Sequence, residues 1–165
     1  MSDGVYRIAF VCLGNICRSP MAEVVMRSLV VRAGLADRIS VASAGTGDWH
    51  VGERADPRTV ETLAGRGYDG SQHRAQQFEA DWFDRYDLVV ALDRRNLADL
   101  LEMAPSDRRD DVRMLRAHDP LAVGSGDLDV PDPYYGGPDG FTDALELVER
   151  ACRGLLDDVV ARIGA

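Results

Sequence analysis

The sequence predicts an α/β fold: a small parallel sheet with helices on both faces. Short apolar runs rich in β-branched residues alternate with longer stretches of helical periodicity along the 165-residue chain, the pattern of strands joined by crossover helices. The first apolar run also ends in a loop containing Gly and Asn that opens directly into a helix. A parallel sheet offers a site in this way, at the carboxyl ends of its strands.

Val5 to Val11, V-Y-R-I-A-F-V, is the first strand. Ser19 is a good N-cap and Pro20 fits a first helical turn, and Met21, Ala22, Val25, Met26, Leu29 and Val30 then follow at helical spacing until Gly34. Ile39 to Ala42 reads as the second strand. Asp56-Pro57 starts a helix through Val60, Leu63 and Ala64 that ends at Gly65 to Gly67. Tyr86 to Leu92 is a third buried strand, and Asp93 opens the Leu97, Leu100, Leu101 helix that Pro105 ends. Val112 to Leu115 is a short fourth strand. From Phe141 to Ile163 an apolar face including Ala144, Leu145, Val148, Cys152, Leu155 and Val159 is opposed by Glu146, Glu149, Arg150, Arg153 and Asp157. Residues 118–140, rich in Gly, Pro and Asp, are too long for a mere connection, and such stretches tend to be functional. With no linker, repeat or low-complexity tract, the whole chain, 1–165, is expected to form a single domain.

Composition narrows the chemistry. Hydrophobic residues make up 45% and charged residues 28%, as in globular proteins, and no apolar run is long enough to span a membrane. Net charge is −9, scattered without a basic stripe, so neither nucleic acid nor membrane is an expected partner. All nineteen basic residues are arginine, which removes the lysine of nucleotide P-loops and every lysine Schiff-base mechanism. Cys12, Cys17 and Cys152 with His50, His73 and His118 do not fall at zinc spacings, so the expected chemistry uses no metal and no cofactor. Met1-Ser2-Asp3-Gly4 lacks the flank and core of a signal peptide, so a cytoplasmic location is expected, with export by another route left open.

The most informative stretch is Cys12-Leu13-Gly14-Asn15-Ile16-Cys17-Arg18-Ser19. A strand delivers a cysteine to a tight loop whose backbone amides can point inward, and the following helix adds the positive end of its dipole. Arg18 can grip two oxygens of a phosphate through its planar fork. The same surroundings favour the thiolate of Cys12, the form that attacks phosphorus. Gly14 and Asn15 tolerate the positive φ such a loop needs. Leu13 to Arg18 are therefore the expected phosphate-binding residues. Asp132, in Asp-Pro within a loop of Gly and Pro, has the composition of a plain turn and equally of a loop-borne acid; Asp129 in the same loop is the alternative acid. Trp49, Tyr134 and Tyr135 stand in loops, where bulky aromatics form pocket walls as readily as core. Cys17 could pack under the loop or act beside Cys12. Cys152 is expected in the core, His118 in a structural role, and Asp93 as a helix cap.

These residues resemble the signature loop of the low-molecular-weight protein tyrosine phosphatases, most closely the actinobacterial PtpA type. Further matches follow in order: Ser43-Ala44-Gly45-Thr46, His73-Arg74-Ala75, Ala91-Leu92-Asp93-Arg94-Arg95-Asn96 and Asp132-Pro133-Tyr134-Tyr135-Gly136. The resemblance implies a four-stranded sheet in order 2-1-3-4 and hydrolysis of phosphotyrosine in proteins or peptides through a phosphocysteine, with inorganic phosphate as product. It implies Cys12 as nucleophile, Arg18 as oxyanion binder and Asp132 as general acid. Ser19 would cap the helix and donate to the Cys12 sulfur, while Asn15, Ser43 and His73 form a supporting network. Cys17 would be the redox partner of Cys12. The rim departs from the pattern at Asp48, His50, Gly136 and Gly137. Two rivals share the pocket: a thiol-dependent arsenate reductase, which needs two further cysteines past mid-chain where residues 71–116 hold none, and a phosphotyrosine reader, which needs neither nucleophile nor acid.

Overall fold

The computed structural model describes residues 4–137 and 139–165. Four parallel strands form one sheet in the order β2-β1-β3-β4: β1 Tyr6–Cys12, β2 Ile39–Gly45, β3 Leu88–Ala91 and β4 Val112–Met114. The helices are α1 Arg18–Arg32, α2 Pro57–Ala64, α3 Trp82–Arg85, α4 Arg94–Met103, α5 Pro120–Ser125 and α6 Asp139–Ile163. The strand order implied by the resemblance is the one observed.

Strand β1 is central, and its alternating side chains divide the interior in two. Ile8, Phe10 and Cys12 join the cluster built by α1 and α6 on one face. Ala9 and Val11 join Phe78, Trp82, Phe83 and Leu100 on the other. On α6, Leu145, Val148 and Leu155 have no exposed surface; burying each contributes about 1.5–3 kcal/mol. Cys152 is equally buried there, as expected, and burial raises its thiol pKa.

The register places Cys12 beside Gly45 at the carboxyl end of the sheet. A Cβ on Gly45 would stand 2.7 Å from the Leu13 carbonyl oxygen and 3.1 Å from the Asn15 nitrogen. Glycine here is a matter of close approach: it lets β2 run directly against the loop that follows β1.

One boundary is corrected. Helix α1 begins at Arg18 with Cys17 at the N-cap position and no side-chain cap, so Ser19 lies inside the first turn. Its hydroxyl is engaged elsewhere. Asp56 and Asp93 do cap α2 and α4, accepting from Arg58 N and Asn96 N.

Candidate active site

The loop between β1 and α1 turns its carbonyls outward. Cys12 O accepts from Thr46 N at 2.9 Å, Leu13 O from Gly47 N at 2.9 Å and Ile16 O from Asp56 N at 2.9 Å. Asn15 O accepts from His73 Nε2 at 2.7 Å. Among the described residues, the amides of Gly14, Asn15, Ile16 and Cys17 donate to no protein acceptor. A run of free N–H groups in such a loop can hold an anion.

Asn15 holds this shape. Its φ of +57° makes it the one non-glycine residue with positive φ among those described, a conformation costing about 1–2 kcal/mol. Its Nδ2 donates to Ser19 Oγ at 2.8 Å and Ser43 Oγ at 2.9 Å, and its Oδ1 accepts from Gln76 N at 2.9 Å. With the His73 bond this makes four hydrogen bonds, each worth about 1 kcal/mol when buried, enough to offset the strain. Ser43 Oγ in turn donates to Glu23 Oε1 at 2.6 Å. Ser19 Oγ, already accepting from Asn15, lies 3.0 Å from Cys12 Sγ and donates to the sulfur when that is a thiolate.

Burial lowers the His73 pKa below the ordinary 6.5, against the opposing pull of its bond to Asn15 O. His73 is therefore neutral, and Nε2–H is the donor. As pH falls below 6.5, the unfolded chain gains a proton that the folded one resists, so stability present above that value is lost on acidification. His73→Gln, which can donate to the same carbonyl without titrating, should show a weaker fall in thermal midpoint between about pH 7 and about pH 5.

Arg18 is buried, and its Nη1 donates to Asp93 Oδ2 at 2.6 Å and Val130 O at 3.1 Å. Burial disfavours its charge, but the Cys12 sulfur, Asp93 and Asp132 outweigh this and raise its pKa. Asp93 thus does more than cap: one carboxylate oxygen receives Asn96 N at 2.7 Å and the other holds Arg18. Asp132 Oδ1 accepts from Tyr134 N at 3.1 Å, leaving Oδ2 3.7 Å from Arg18 Nη2. Asp129 instead spends its carboxylate on Arg94 N and Nε, at 2.9 and 3.3 Å.

Cys12, Leu13, Gly14, Ile16, Cys17 and Arg18 line a pocket of about 380 Å³ walled by Trp49, His50, Asp132, Tyr134 and Tyr135. Asn15 is absent from the lining because its side chain serves the network behind the loop. Ser19, Ser43 and His73 lie in that network too. Glu23, Gln76 and the second role of Asp93 escape sequence reasoning. Asp93-Arg94-Arg95-Asn96 was visible as a motif, whereas a glutamate four residues after Ser19 and a glutamine three after His73 carry no local signal.

Residues 7–163 match the family model described as low molecular weight phosphotyrosine protein phosphatase. The chain belongs to that family. A low molecular weight protein-tyrosine-phosphatase of Streptomyces coelicolor is 59% identical over 152 residues, 92% of each chain. Low molecular weight protein-tyrosine phosphatase A of Mycobacterium tuberculosis is 44% identical over 163 residues, covering 99% of this chain and 96% of the other. A crystal structure of an Entamoeba histolytica protein tyrosine phosphatase, with Hepes in its active site, superposes with a TM-score of 0.90 at 32% identity, over 95% of this chain and 98% of that one. Cys12 is the last residue of the first strand, where the loop into α1 begins.

Proposed function

We propose that this phosphatase hydrolyses phosphotyrosine monoesters in proteins and peptides through a phosphocysteine. The observation that carries the reading is the convergence of Cys12, Arg18 and Asp132 on one pocket whose floor is a loop of free amides. The Cys12 thiolate attacks phosphorus. The loop amides and Arg18 hold the equatorial oxygens as charge redistributes. Asp132 Oδ2 protonates the departing phenolate oxygen, whose conjugate acid has a pKa of about 10. In the second step the same carboxylate takes a proton from water, which attacks the phosphocysteine, and Ser19 donates to the leaving sulfur. Inorganic phosphate is released.

Trp49 and Tyr135 are largely exposed, and with Tyr134 they raise aromatic walls above a deep nucleophile. A long flat phosphotyrosine reaches the floor and a short phosphoserine does not. Matched phosphotyrosine and phosphoserine peptides should differ by at least about 100-fold in kcat/KM, of which each tenfold is 1.4 kcal/mol; comparable values overturn the assignment. Among the described residues no helix is long and apolar enough to cross a membrane.

Cys17 lines the same pocket, and burial pushes its thiol up to about 12. In the redox reading, peroxide oxidises the Cys12 thiolate to a sulfenic acid, and Cys17 displaces water to form a disulfide that an external dithiol reduces. Peroxide-treated wild type should regain most activity in dithiothreitol. Cys17→Ser should lose it irreversibly as Cys12 overoxidises; equal recovery counts against the disulfide.

A further inference from the structure

Asp132 is held from two sides, and the holds differ. Upstream, the loop is tied to the sheet end and neighbouring side chains: Val130 N donates to Leu92 O at 2.8 Å, Arg18 to Val130 O at 3.1 Å and Arg116 to Asp129 O at 2.5 Å. Downstream, between Asp132 and the start of α6, a single side chain from outside the loop bonds its backbone among the described residues. That side chain is Arg58, whose Nη1 donates to Tyr134 O at 3.2 Å. The same guanidinium lies 5.2 Å from the Tyr134 ring centroid and 4.6 Å from that of Phe141, within cation–π range of both.

The other edge of Arg58 is occupied by Asp56. Nε and Nη2 reach the two oxygens of that buried carboxylate at 3.0 and 2.8 Å. Asp56 in turn donates its backbone N–H to Ile16 O in the anion loop at 2.9 Å. A continuous chain therefore runs from the anion loop through Asp56 and Arg58 to the backbone two residues past Asp132.

We propose that Arg58 is a positioning residue for the proton donor, bracketing the loop that carries Asp132 against the loop that holds the phosphate. This rests on Asp132 being the acid. The task needs a planar fork that sets Nε and Nη2 on Asp56 and Nη1 on Tyr134 O, so lysine cannot substitute: its three N–H groups share one nitrogen, which cannot stand in both places. Loosening the bracket leaves nucleophile and cradle intact and misplaces only the donor, and a misplacement of about 1 Å can cost up to about 100-fold.

The test compares wild type, Arg58→Ala, Arg58→Lys, Asp132→Ala and the Asp132→Ala/Arg58→Ala double variant. Burst phosphorylation rates are measured on aryl phosphates whose leaving phenols range from strongly acidic to tyrosine-like. Both Arg58 variants should slow the tyrosine-like esters about tenfold or more, barely change the most acidic ones, and inhibit with inorganic phosphate as wild type does. The double variant should be no slower than Asp132→Ala, because positioning an absent donor does nothing. Arg58→Lys carries the test should the alanine variant not fold. A uniform rate loss across all phenols, or a full additional loss in the double variant, overturns the proposal. A steep leaving-group dependence in Asp132→Ala with a wild-type slope in Arg58→Lys refutes Arg58 alone. Wild-type slopes in both refute the assignment of Asp132 and the bracket with it.

Discussion

Serine in place of Cys12 leaves a protein that holds phosphate and no longer turns over an aryl phosphate. A serine hydroxyl is a far weaker nucleophile than a thiolate, while the free amides of residues 14–17 and the fixed guanidinium of Arg18 remain. Turnover should fall by at least about 10⁴-fold. Phosphate affinity, read by calorimetry, should stay within about threefold of wild type, a change of under about 1 kcal/mol. Activity near wild type in Cys12→Ser would remove the phosphocysteine from the mechanism.

Alanine in place of Asp132 should slow phosphotyrosine hydrolysis by about 10²- to 10⁴-fold. The loss depends on the leaving group. A phenol of low pKa departs without a proton, so its ester should be hurt far less, and the plot of burst phosphorylation rate against phenol pKa turns from shallow to steep. Steady-state kcat is a poorer reporter, because in the proposed mechanism Asp132 also serves the second step. Coincident slopes would pass the role to another group. Asp129 is no longer the natural heir, since its carboxylate is bound to Arg94 at the start of α4.

Residues whose partners are near in sequence were legible; those whose partners are remote were not. Cys12, Arg18 and the loop between them form one contiguous signal, and the Asp-Pro pair at 132 stands out within its loop. Asp93 had a sufficient local explanation as a cap, and its bond to Arg18 spans 75 residues. Arg58 reaches 76 residues to Tyr134 O, and Gln76 reaches 61 to Asn15. Strand β2 runs three residues past its expected end, because Ser43, Ala44 and Gly45 pair with Phe10, Val11 and Cys12 although their own strand propensity is low. Strand β3 is shorter than expected, beginning at Leu88 rather than Tyr86. Helices α3 and α5, of four and six residues, are too short to write a period. Ser19 was misread as a cap because serine before proline at a helix start is ordinarily one; here the nearer claims on its oxygen are Asn15 and the Cys12 sulfur.

The outward carbonyls of the anion loop have a thermodynamic cost that appears at the end of the cycle. Thr46, Gly47, Asp56 and His73 fix the loop before any ligand arrives, so an entering phosphate orders nothing and keeps its full electrostatic gain. That mould does not depend on what is esterified to the phosphate, and it fits the free ion left after hydrolysis as well as the ester. Emptying the site therefore competes with refilling it. Under the proposed mechanism free phosphate should therefore compete with the ester for the same loop, read as competitive inhibition by added inorganic phosphate.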